Sequence, residues 1–337
     1  IGFDISHSRI DRLQNGFDDT NEVSLEELTS RKNINFTLSE RDLDAASWYI
    51  ITVPTPIDNT NHPDMTSLRK ACSIVGRYLS KDKIVIFEST VYPGATEEIC
   101  VPILEKISGL HLNKDFFVGY SPERINPGDK KRRIETIIKI TSGSNQKSAK
   151  IIDDFYKLFI SAGTYPVTSI EVAEAAKVIE NVQRDLNIAF VNQLAILFSK
   201  LGLNTNEVLE AAGTKWNFQK FKPGLVGGHC IGVDPYYLIY RAKQLGEDAD
   251  FFTAGRRIND KMVDHLVGEV IKDLVKKKIN FQNAKILILG CTFKENCPDM
   301  RNSKVVELVS KLDEYGVEIC VFDPIADENE LIKKFGS

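Results

Sequence analysis

The residues best suited to covalent chemistry surround a cysteine in a glycine-rich segment. Residues 221–238 read FKPGLVGGHCIGVDPYYL, with four glycines in nine residues around Cys230 and with Asp234 four residues after it. Glycines let the backbone approach a ligand closely, and a turn that enters a helix near a cation gives a thiolate its access and its lowered pKa. The pattern predicts a nucleophilic thiol. A small buried cysteine in a structural turn is the alternative, and His229 is expected to be structural rather than a base.

A lysine and an asparagine on a predicted helix form a second group. Lys177 and Asn181 are four residues apart, so they lie on one face of the helix. Together they offer a charge and an amide donor to one oxyanion, although such a pair is by itself a common surface feature.

Glu123 lies in the segment 121–129, which is too rich in proline for a helix. It could position a water molecule, and a charged turn is the alternative.

Charged residues at predicted strand ends suggest a dinucleotide and a phosphate ligand. Asp4 ends the apolar run 1–3, where a dinucleotide fold places the acid that bonds the ribose hydroxyls, and an acid there favours NAD over its 2′-phosphorylated form. The glycine-rich turn that normally precedes this acid does not occur in the sequence, so an ordinary turn aspartate is the alternative. Arg9 could flank the adenine. Lys294 and Arg301 follow a later apolar strand, where they could hold a phosphate or be surface charges.

Short apolar runs alternate with helical patterns along the first half of the chain. Strands are predicted at 48–53 and 84–87, and each is followed by a helical pattern. Nearly continuous apolar strands that alternate with helices are typical of a parallel sheet covered on both faces. Ligands of such sheets lie beyond the carboxyl ends of the strands, which is where Thr55 and Thr90 fall.

A long helical pattern separates this region from a second pair of strands. Periodic apolar residues from 169 to 201 predict a helix about 45 Å long, a length typical of a helix that joins domains or builds a dimer. Strands at 285–290 and 317–322 flank a helix near 303–315 and make another β-α-β unit.

The predicted fold class is α/β, with two Rossmann-like, doubly wound parallel-sheet domains joined by a helical domain with a long central helix. An NAD-binding domain that lacks its first βα unit is expected at 1–168. The central helical domain, with the dimer helix and Cys230, is expected at 169–279, and a partial C-terminal domain at 280–337.

The composition excludes several classes of protein. The 337 residues are 42% hydrophobic and 27% charged, close to an ordinary globular protein, and the net charge of −4 argues against a nucleic-acid partner. No apolar stretch approaches the ~20 residues that span a bilayer, so no membrane association is expected. The six cysteines are scattered without a CxxC pair, which predicts reduced thiols, no metal site and a cytoplasmic location.

Six segments, in order along the chain, resemble the motifs of the UDP-glucose/GDP-mannose dehydrogenase family, the nucleotide-sugar 6-dehydrogenases. They are Val53-Pro54-Thr55-Pro56 with Pro63-Asp64, Glu88-Ser89-Thr90-Val91-Tyr92-Pro93-Gly94, Ser121-Pro122-Glu123-Arg124, Ala173-Glu174-Ala175-Ala176-Lys177 with Glu180-Asn181, the Cys230 segment, and Lys294-Glu295-Asn296 with Asp299-Met300-Arg301-Asn302-Ser303. The resemblance covers nearly the whole chain. It implies an N-terminal NAD domain, a middle domain that dimerises through its long helix, and a C-terminal domain that binds the UDP part.

The resemblance also implies a reaction. The family carries out two successive NAD-dependent oxidations of a sugar's primary alcohol to a carboxylate, through an enzyme thioester. By motif match Cys230 would be the nucleophile that captures the aldehyde as a thiohemiacetal. Lys177 and Asn181 would stabilise the oxyanions, and Asp234 would assist proton transfer or orient water.

Further residues would hold water, cofactor and substrate. Glu123 and Thr90 would position the hydrolytic water. The cofactor NAD would contact Asp4, Arg9, Val53, Pro54, Thr55, Thr90 and Arg301. The UDP-sugar would contact Glu123, Arg124, Lys177, Asn181, Phe221, Lys222, Gly224, Gly227, Arg256 and Lys294. Arg256, in preference to Arg257, would be the arginine that a neighbouring subunit donates, so a homodimer or a higher homo-oligomer is expected.

The expected substrate is UDP-N-acetylglucosamine or UDP-N-acetylgalactosamine, oxidised for a surface polysaccharide such as a capsule or an O-antigen. Glucose-specific relatives usually carry a second glutamate four residues after the first, where this chain has Pro127. The Cys230 segment is most similar to bacterial enzymes that oxidise UDP-N-acetylhexosamines. The alternatives are a UDP-glucose 6-dehydrogenase, a non-catalytic nucleotide-sugar-binding scaffold, and a cysteine hydrolase, which would need a histidine base near Cys230.

Overall fold

The computed structural model describes residues 1–20, 23–30, 33–126, 129 and 131–336. The chain divides into two compact units, Ile1–Lys177 and Val178–Ser337. Within the described residues the strands pair only in parallel, and one helix is 32 residues long. The predicted α/β class with parallel sheets and a long helix is therefore confirmed, and the division into three domains stays a prediction.

The first unit alternates strands and helices. Its strands are β1 (Gly2–Phe3), β2 (Phe36–Thr37), β3 (Trp48–Ile51), β4 (Ile84–Phe87), β5 (Phe117–Tyr120), β6 (Lys139–Thr141) and β7 (Thr164–Pro166). Its helices are α1 (His7–Gln14), α2 (Leu25–Ser30), α3 (Thr66–Tyr78), α4 (Val101–Ser108), α5 (Gln146–Lys157) and the start of α6 (Ile170–Leu201). β1 pairs with β2, β4 lies between β3 and β5, and β6 pairs with β7. A π-helical turn, Thr96–Cys100, leads into α4, and short 3-10 turns lie at Glu40–Ala45 and Ile134–Thr136.

The core of the first unit forms where α5 packs on the central strand. Every residue of β4 is buried, and Ile86 contacts a cluster that includes Ile152 and Tyr156 of α5. Gly119 of β5 allows this approach, because a Cβ there would lie 2.3 Å from Ile152 Cδ1 and 2.6 Å from the carbonyl oxygen of Ser142. The loops at the carboxyl end of the sheet therefore follow strands that are held in place by a buried core.

The second unit is mainly helical. After α6 it contains α7 (Thr205–Ala212), α8 (Asp234–Gln244), α9 (Asp250–Asp260), α10 (Met262–Lys276), α11 (Lys304–Asp313) and α12 (Glu328–Phe335). The parallel pair β8 (Lys285–Leu289) and β9 (Glu318–Phe322) packs with α10 and α11 around Val263, Val267, Ala284, Leu312 and Val317.

The ends of the long helix follow its sequence signals. The Ser169 hydroxyl accepts a hydrogen bond from Val172 N–H at 3.3 Å, which is the role of an N-cap. Gly202, with φ +71°, follows the last helical residue, as expected of a residue in the left-handed region. No helix among the described residues is long and apolar enough to cross a membrane.

Candidate active site

Cys230 lies at the entrance to a helix. Its carbonyl oxygen accepts hydrogen bonds from the backbone N–H groups of Val233 (3.0 Å) and Asp234 (2.8 Å), and α8 begins at Asp234. The Cys230 residue is exposed, as a reacting thiol must be. The turn into a helix that the sequence predicts is present. Cys230 thus lies one turn before the N-terminal end of α8, the end at which backbone N–H groups lack partners within the helix.

The glycines of this segment bring it against another loop of the second unit. Gly228 has φ +82°, and a Cβ there would lie 2.5 Å from the Phe293 ring. A Cβ on Gly227 would lie 2.5 Å from the carbonyl oxygen of Asn302, which accepts a hydrogen bond from Gly228 N–H at 3.3 Å. The close backbone approach that the glycines predict is thus made to the chain itself. The loop at 293–302 therefore fixes the shape of the Cys230 segment.

Asn181 and Asp234 form a buried hydrogen bond. The Asn181 Nδ2 donates to Asp234 Oδ2 at 2.6 Å, and the two residues are 6% and 2% exposed. The bond joins α6 to the first residue of α8, one helical turn after Cys230. Because an amide nitrogen carries two hydrogens, Asn181 can hold Asp234 and still donate to a second acceptor.

Lys177 lies one turn before Asn181 on α6. It is 8% exposed, and within the described part of the chain no carboxylate forms an ion pair with it. A buried ammonium without an anion is costly. Lys177 is therefore suited to an anionic group that arrives with a ligand.

Glu123 is held on both carboxylate oxygens. Its Oε1 accepts hydrogen bonds from the N–H groups of Arg124 (2.6 Å) and Ile125 (2.5 Å), and its Oε2 lies 3.8 Å from Lys139 Nζ. Lys139 is 4% exposed and lies 3.2 Å from Glu88 Oε1. The carboxylate of Glu123 is therefore fixed at the carboxyl end of the sheet beside a buried cation.

The sequence does not indicate that Glu88 and Tyr156 are partners of this cation. The Tyr156 hydroxyl donates to Glu88, and Lys139 Nζ lies 5.2 Å from the centre of the Tyr156 ring. Burial, followed by the charge of Glu88, raises the pKa of Tyr156 well above its ordinary range, so it stays a donor. A signal was present in the sequence, because Lys139 interrupts an apolar strand pattern from 137 to 140.

Two loops at the strand ends are tied together. The Thr55 hydroxyl donates to the carbonyl oxygen of Thr90 at 2.6 Å, and the Ser89 hydroxyl donates to the carbonyl oxygen of Val53 at 2.7 Å. These bonds link the loops after β3 and β4, which are neighbouring parallel strands. Pro54, between them, is exposed.

Asp4 lies at the carboxyl end of β1. Its Oδ1 accepts a hydrogen bond from Ser6 N–H at 2.8 Å, and no donor among the described residues contacts its Oδ2. Arg9 is bound to an acidic loop instead of projecting freely, with Nη2 at 2.8 Å from Asp18 Oδ1. Although burial opposes it, hydrogen bonds from Thr20, Val23 and Arg9 lower the pKa of Asp18 to about 2, so this pair remains charged.

Arg301 and His229 share one aspartate. The Arg301 guanidinium forms a bidentate contact with Asp299, at 2.6 and 3.0 Å, and its side chain is 68% exposed. His229 Nδ1 lies 3.7 Å from Asp299 Oδ2, and burial, with the positive charge of Arg301, lowers the pKa of His229. His229 thus pairs with the neighbouring loop, as expected of a structural residue. Lys294 belongs to the same loop, where its carbonyl oxygen accepts a hydrogen bond from the Thr292 hydroxyl.

Arg256 is buried in an ion pair of its own chain. Its Nη1 donates to Asp185 Oδ1 at 2.5 Å and its Nη2 to Asp260 Oδ1 at 3.0 Å, and the residue is 4% exposed. Asn259 also donates to Asp185 Oδ1, at 2.7 Å. Arg257, next in the chain, is exposed. Donation of Arg256 to a neighbouring subunit stays a prediction, and it requires that this ion pair open.

The remaining predicted substrate residues lie on loops. Asn192 Oδ1 accepts from Gly224 N–H at 2.8 Å and Asn192 Nδ2 donates to the carbonyl oxygen of Gly224 at 3.0 Å, which ties the start of the Cys230 segment to α6. Phe221 is half-buried and Lys222 is exposed. Arg124 donates to the carbonyl oxygen of Ile138 at 2.9 Å. Pro127, which bears on substrate choice, lies outside the described residues.

The sequence matches three family models in the order that these elements suggest. They are those of the UDP-glucose/GDP-mannose dehydrogenase family for its NAD binding domain (residues 1–160), its central domain (171–261) and its UDP binding domain (287–336).

Similar proteins cover the whole chain. A UDP-N-acetyl-D-glucosamine 6-dehydrogenase of Pseudomonas aeruginosa is 53% identical over 336 residues, which are 100% of this chain and 80% of that protein. Protein CapL of Staphylococcus aureus is 56% identical over 336 residues, again 100% of this chain, and 79% of CapL. A solved structure of a UDP-D-ManNAc dehydrogenase from Pyrococcus horikoshii superposes with a TM-score of 0.90 at 32% identity, over 97% of this chain and 78% of that one. The chain therefore belongs to the UDP-glucose/GDP-mannose dehydrogenase family.

Proposed function

We propose that this protein is an NAD-dependent UDP-N-acetyl-D-glucosamine 6-dehydrogenase, which oxidises the primary alcohol of the sugar to a carboxylate in two steps. The observation that carries the proposal is the arrangement of Cys230, Asp234 and Asn181. An exposed thiol precedes the first turn of α8, and a buried amide and carboxylate are bonded at 2.6 Å one turn later. The UDP-N-acetyl-D-glucosamine 6-dehydrogenase of P. aeruginosa, at 53% identity, supports the substrate.

The first unit fits the cofactor that its family domain implies. Asp4 ends β1 with one carboxylate oxygen fixed by Ser6 N–H and the other directed to no described donor, which suits the paired hydroxyls of a ribose. The joined loops that carry Val53, Thr55 and Thr90 would lie along the remainder of NAD at the strand ends. When bound, NAD accepts a hydride from the sugar carbon in each oxidation. The family fold of two doubly wound domains around a helical one is part of this proposal.

The thiol and the buried polar groups account for the covalent steps. In the first oxidation the alcohol proton passes to a base, for which Asp234 is the candidate, and an aldehyde forms. The Cys230 sulfur then bonds to the aldehyde carbon, giving a thiohemiacetal whose oxygen is stabilised by Lys177 and the second amide hydrogen of Asn181. Removal of a second hydride from this carbon gives the thioester.

Hydrolysis of the thioester completes the reaction. Glu123, fixed by Arg124 N–H, Ile125 N–H and the cation of Lys139, would accept a hydrogen bond from the attacking water, with Thr90 as a second contact. The carbon–sulfur bond breaks, the thiol of Cys230 is regenerated, and the carboxylate leaves. One sugar alcohol, one water and two oxidised cofactors give one carboxylate, two reduced cofactors and three protons.

Binding of the UDP part would fall to the second unit. Lys294 would face the diphosphate, and the segment from Phe221 to Gly227 would cover the sugar. Arg301, exposed on the same loop as Lys294, would contact the cofactor. A second copy of the chain is part of the proposal, since α6 exposes Phe190 (57%) and Leu201 (61%).

The experiment is an NADH assay with three sugars. Purified full-length protein receives UDP-N-acetylglucosamine, UDP-N-acetylgalactosamine or UDP-glucose, and NADH absorbance is compared with the sugar consumed. We expect two NADH per molecule of UDP-N-acetylglucosamine, abolished in Cys230→Ser and retained in Cys320→Ser, an exposed cysteine on β9. If the protein prefers UDP-glucose, then UDP-glucose replaces UDP-N-acetylglucosamine as the proposed substrate. If no sugar gives NADH, the proposal is refuted in favour of a non-catalytic binding protein.

A further inference from the structure

Glu174 is a buried carboxylate that the proposed chemistry does not use. It lies in the second turn of α6 and is 0% exposed. Its Oε2 accepts a hydrogen bond from Gly94 N–H at 2.6 Å, and its Oε1 accepts one from Thr96 N–H at 3.0 Å. Two backbone donors on one buried carboxylate favour its ionised form, because a protonated acid turns one oxygen into a donor.

The two bonds join two segments that carry proposed catalytic residues. Gly94 ends the loop that begins at Thr90 after β4, and Thr96 starts the π-helical turn that leads into α4. Insertions of this kind within helices are frequent at functional sites. On the other side, Glu174 lies one turn before Lys177 on α6. All of these residues belong to the first unit.

The surroundings of Glu174 place its titration in the neutral range. Burial, and to a smaller extent the charge of Glu97 on the π-helical turn, raise its pKa to about 7 against the effect of the N–H donors. Cys100 of the same turn is in contact with Cys72 of α3 and adds no positive charge. Glu171 is the acidic neighbour on α6, and Arg69 of α3 is the cation that faces Cys100.

We propose that Glu174 is a positioning residue for the dehydrogenase reaction, holding the Thr90 loop and the Lys177 turn in one arrangement while it is ionised. The inference rests on the proposed function. Protonation replaces one of the two N–H bonds by a contact between two donors, which releases either Gly94 or Thr96. The rate of oxidation therefore falls on the acid side of neutrality, although Glu174 touches no substrate.

The test combines pH profiles with amide exchange. Wild type, Glu174→Gln, Glu174→Asp and the control Glu97→Gln are assayed with UDP-N-acetylglucosamine and NAD from about pH 6 to about pH 9. In wild type we expect kcat to fall below about pH 7. In Glu97→Gln we expect the same fall at a somewhat lower pH, because this variant removes a charge that helps to raise the pKa of Glu174. In Glu174→Gln we expect kcat lowered at alkaline pH by about tenfold to a hundredfold, the cost of a misplaced catalytic group, with the acid limb lost and KM little changed. Glu174→Asp keeps a carboxylate and is expected to recover part of the alkaline rate.

Hydrogen exchange at Gly94 and Thr96 supplies a readout that does not need turnover. Protection of these two amides should decline as wild type is acidified, and should be low and independent of pH in Glu174→Gln. The inference is overturned if the acid limb persists in Glu174→Gln or if the protection of both amides is unchanged. In either case the proposed function still holds, provided that the activity depends on Cys230. Wild type that forms no NADH, with amide protection behaving as expected, refutes the function and reduces Glu174 to a structural clamp.

Discussion

Replacement of Arg256 by methionine tests whether Arg256 pairs with Asp185 of its own chain, as the geometry indicates, and stabilises the second unit through this ion pair. Methionine keeps much of the side-chain volume, so the change removes mainly the charge and its hydrogen bonds. Asp185, 0% exposed, would keep only the amide of Asn259 as a partner on Oδ1. Asp260, the second partner of Arg256, is partly exposed and can be hydrated instead.

The expected loss is large for a single substitution. Removing one partner of a buried ion pair typically costs about 3–5 kcal/mol, a substantial part of the roughly 5–15 kcal/mol that stabilises a folded domain. Burial raises the pKa of Asp185, and Arg256 opposes that rise. Without Arg256 the pKa rises further, so Asp185 is neutralised more readily and the loss becomes smaller as the pH falls.

Urea unfolding followed by circular dichroism at about pH 8 and about pH 5 provides the measurement. Arg257→Met, a neighbouring exposed arginine on α9, is the matched control and should shift stability by no more than about 0.5 kcal/mol. The double variant Asp185→Asn with Arg256→Met should regain part of the loss. Equal effects of Arg256→Met and Arg257→Met would refute the internal ion pair and favour an Arg256 that reaches a second subunit.

Two further predictions concern charges of the first unit. Lys139→Met leaves the buried carboxylate of Glu88 without its cation, and we expect a loss of about 3 kcal/mol in urea unfolding, partly restored by Lys139→Arg. For Glu174 the pKa rises from 4.5 to about 7 on folding, so its protonated form contributes stability that is complete below about pH 4.5 and is lost as the pH rises through 7. At about 1.4 kcal/mol per unit, the stability of wild type relative to Glu174→Gln should fall by about 3 kcal/mol between acid and alkaline pH. A constant difference in urea unfolding across this range would contradict the buried carboxylate.

The sequence predicts best where a local pattern coincides with burial. The run of four apolar residues at Ile84–Phe87 predicts β4 with its observed bounds, because an entirely buried strand tolerates no polar position. The periodic pattern from 169 to 201 predicts α6 to within one residue, because Ser169 and Gly202 mark its ends. In contrast, the sequence pattern does not predict α5, β6 or β7. The buried residues Ile152 and Tyr156 of α5 pack on Ile84 and Ile86 of β4, and β6 and β7 have only three residues each.

The candidate site divides in the same way. The segment around Cys230 can be predicted from its glycines, and the pair Lys177 and Asn181 can be predicted from its spacing on one helix. The bond between Asn181 and Asp234 joins residues 53 apart in the sequence, so only the fold reveals it. Lys139 belongs to no motif, and Glu174 belongs to a motif that does not show what it binds. The contacts of both residues are revealed only by the fold.

The contact between the Cys230 segment and the loop at 293–302 has a consequence for recombination between relatives. Gly227 and Gly228 leave no room for a side chain against Asn302 and Phe293, so the two loops pack closely and depend on each other's shape. An exchange of C-terminal segments between relatives, made to change nucleotide preference, would replace one of these loops and leave the other. Chimeras of this kind should keep their activity only when residues 221–235 and residues 287–303 come from the same parent protein. The two segments are therefore expected to be exchanged together.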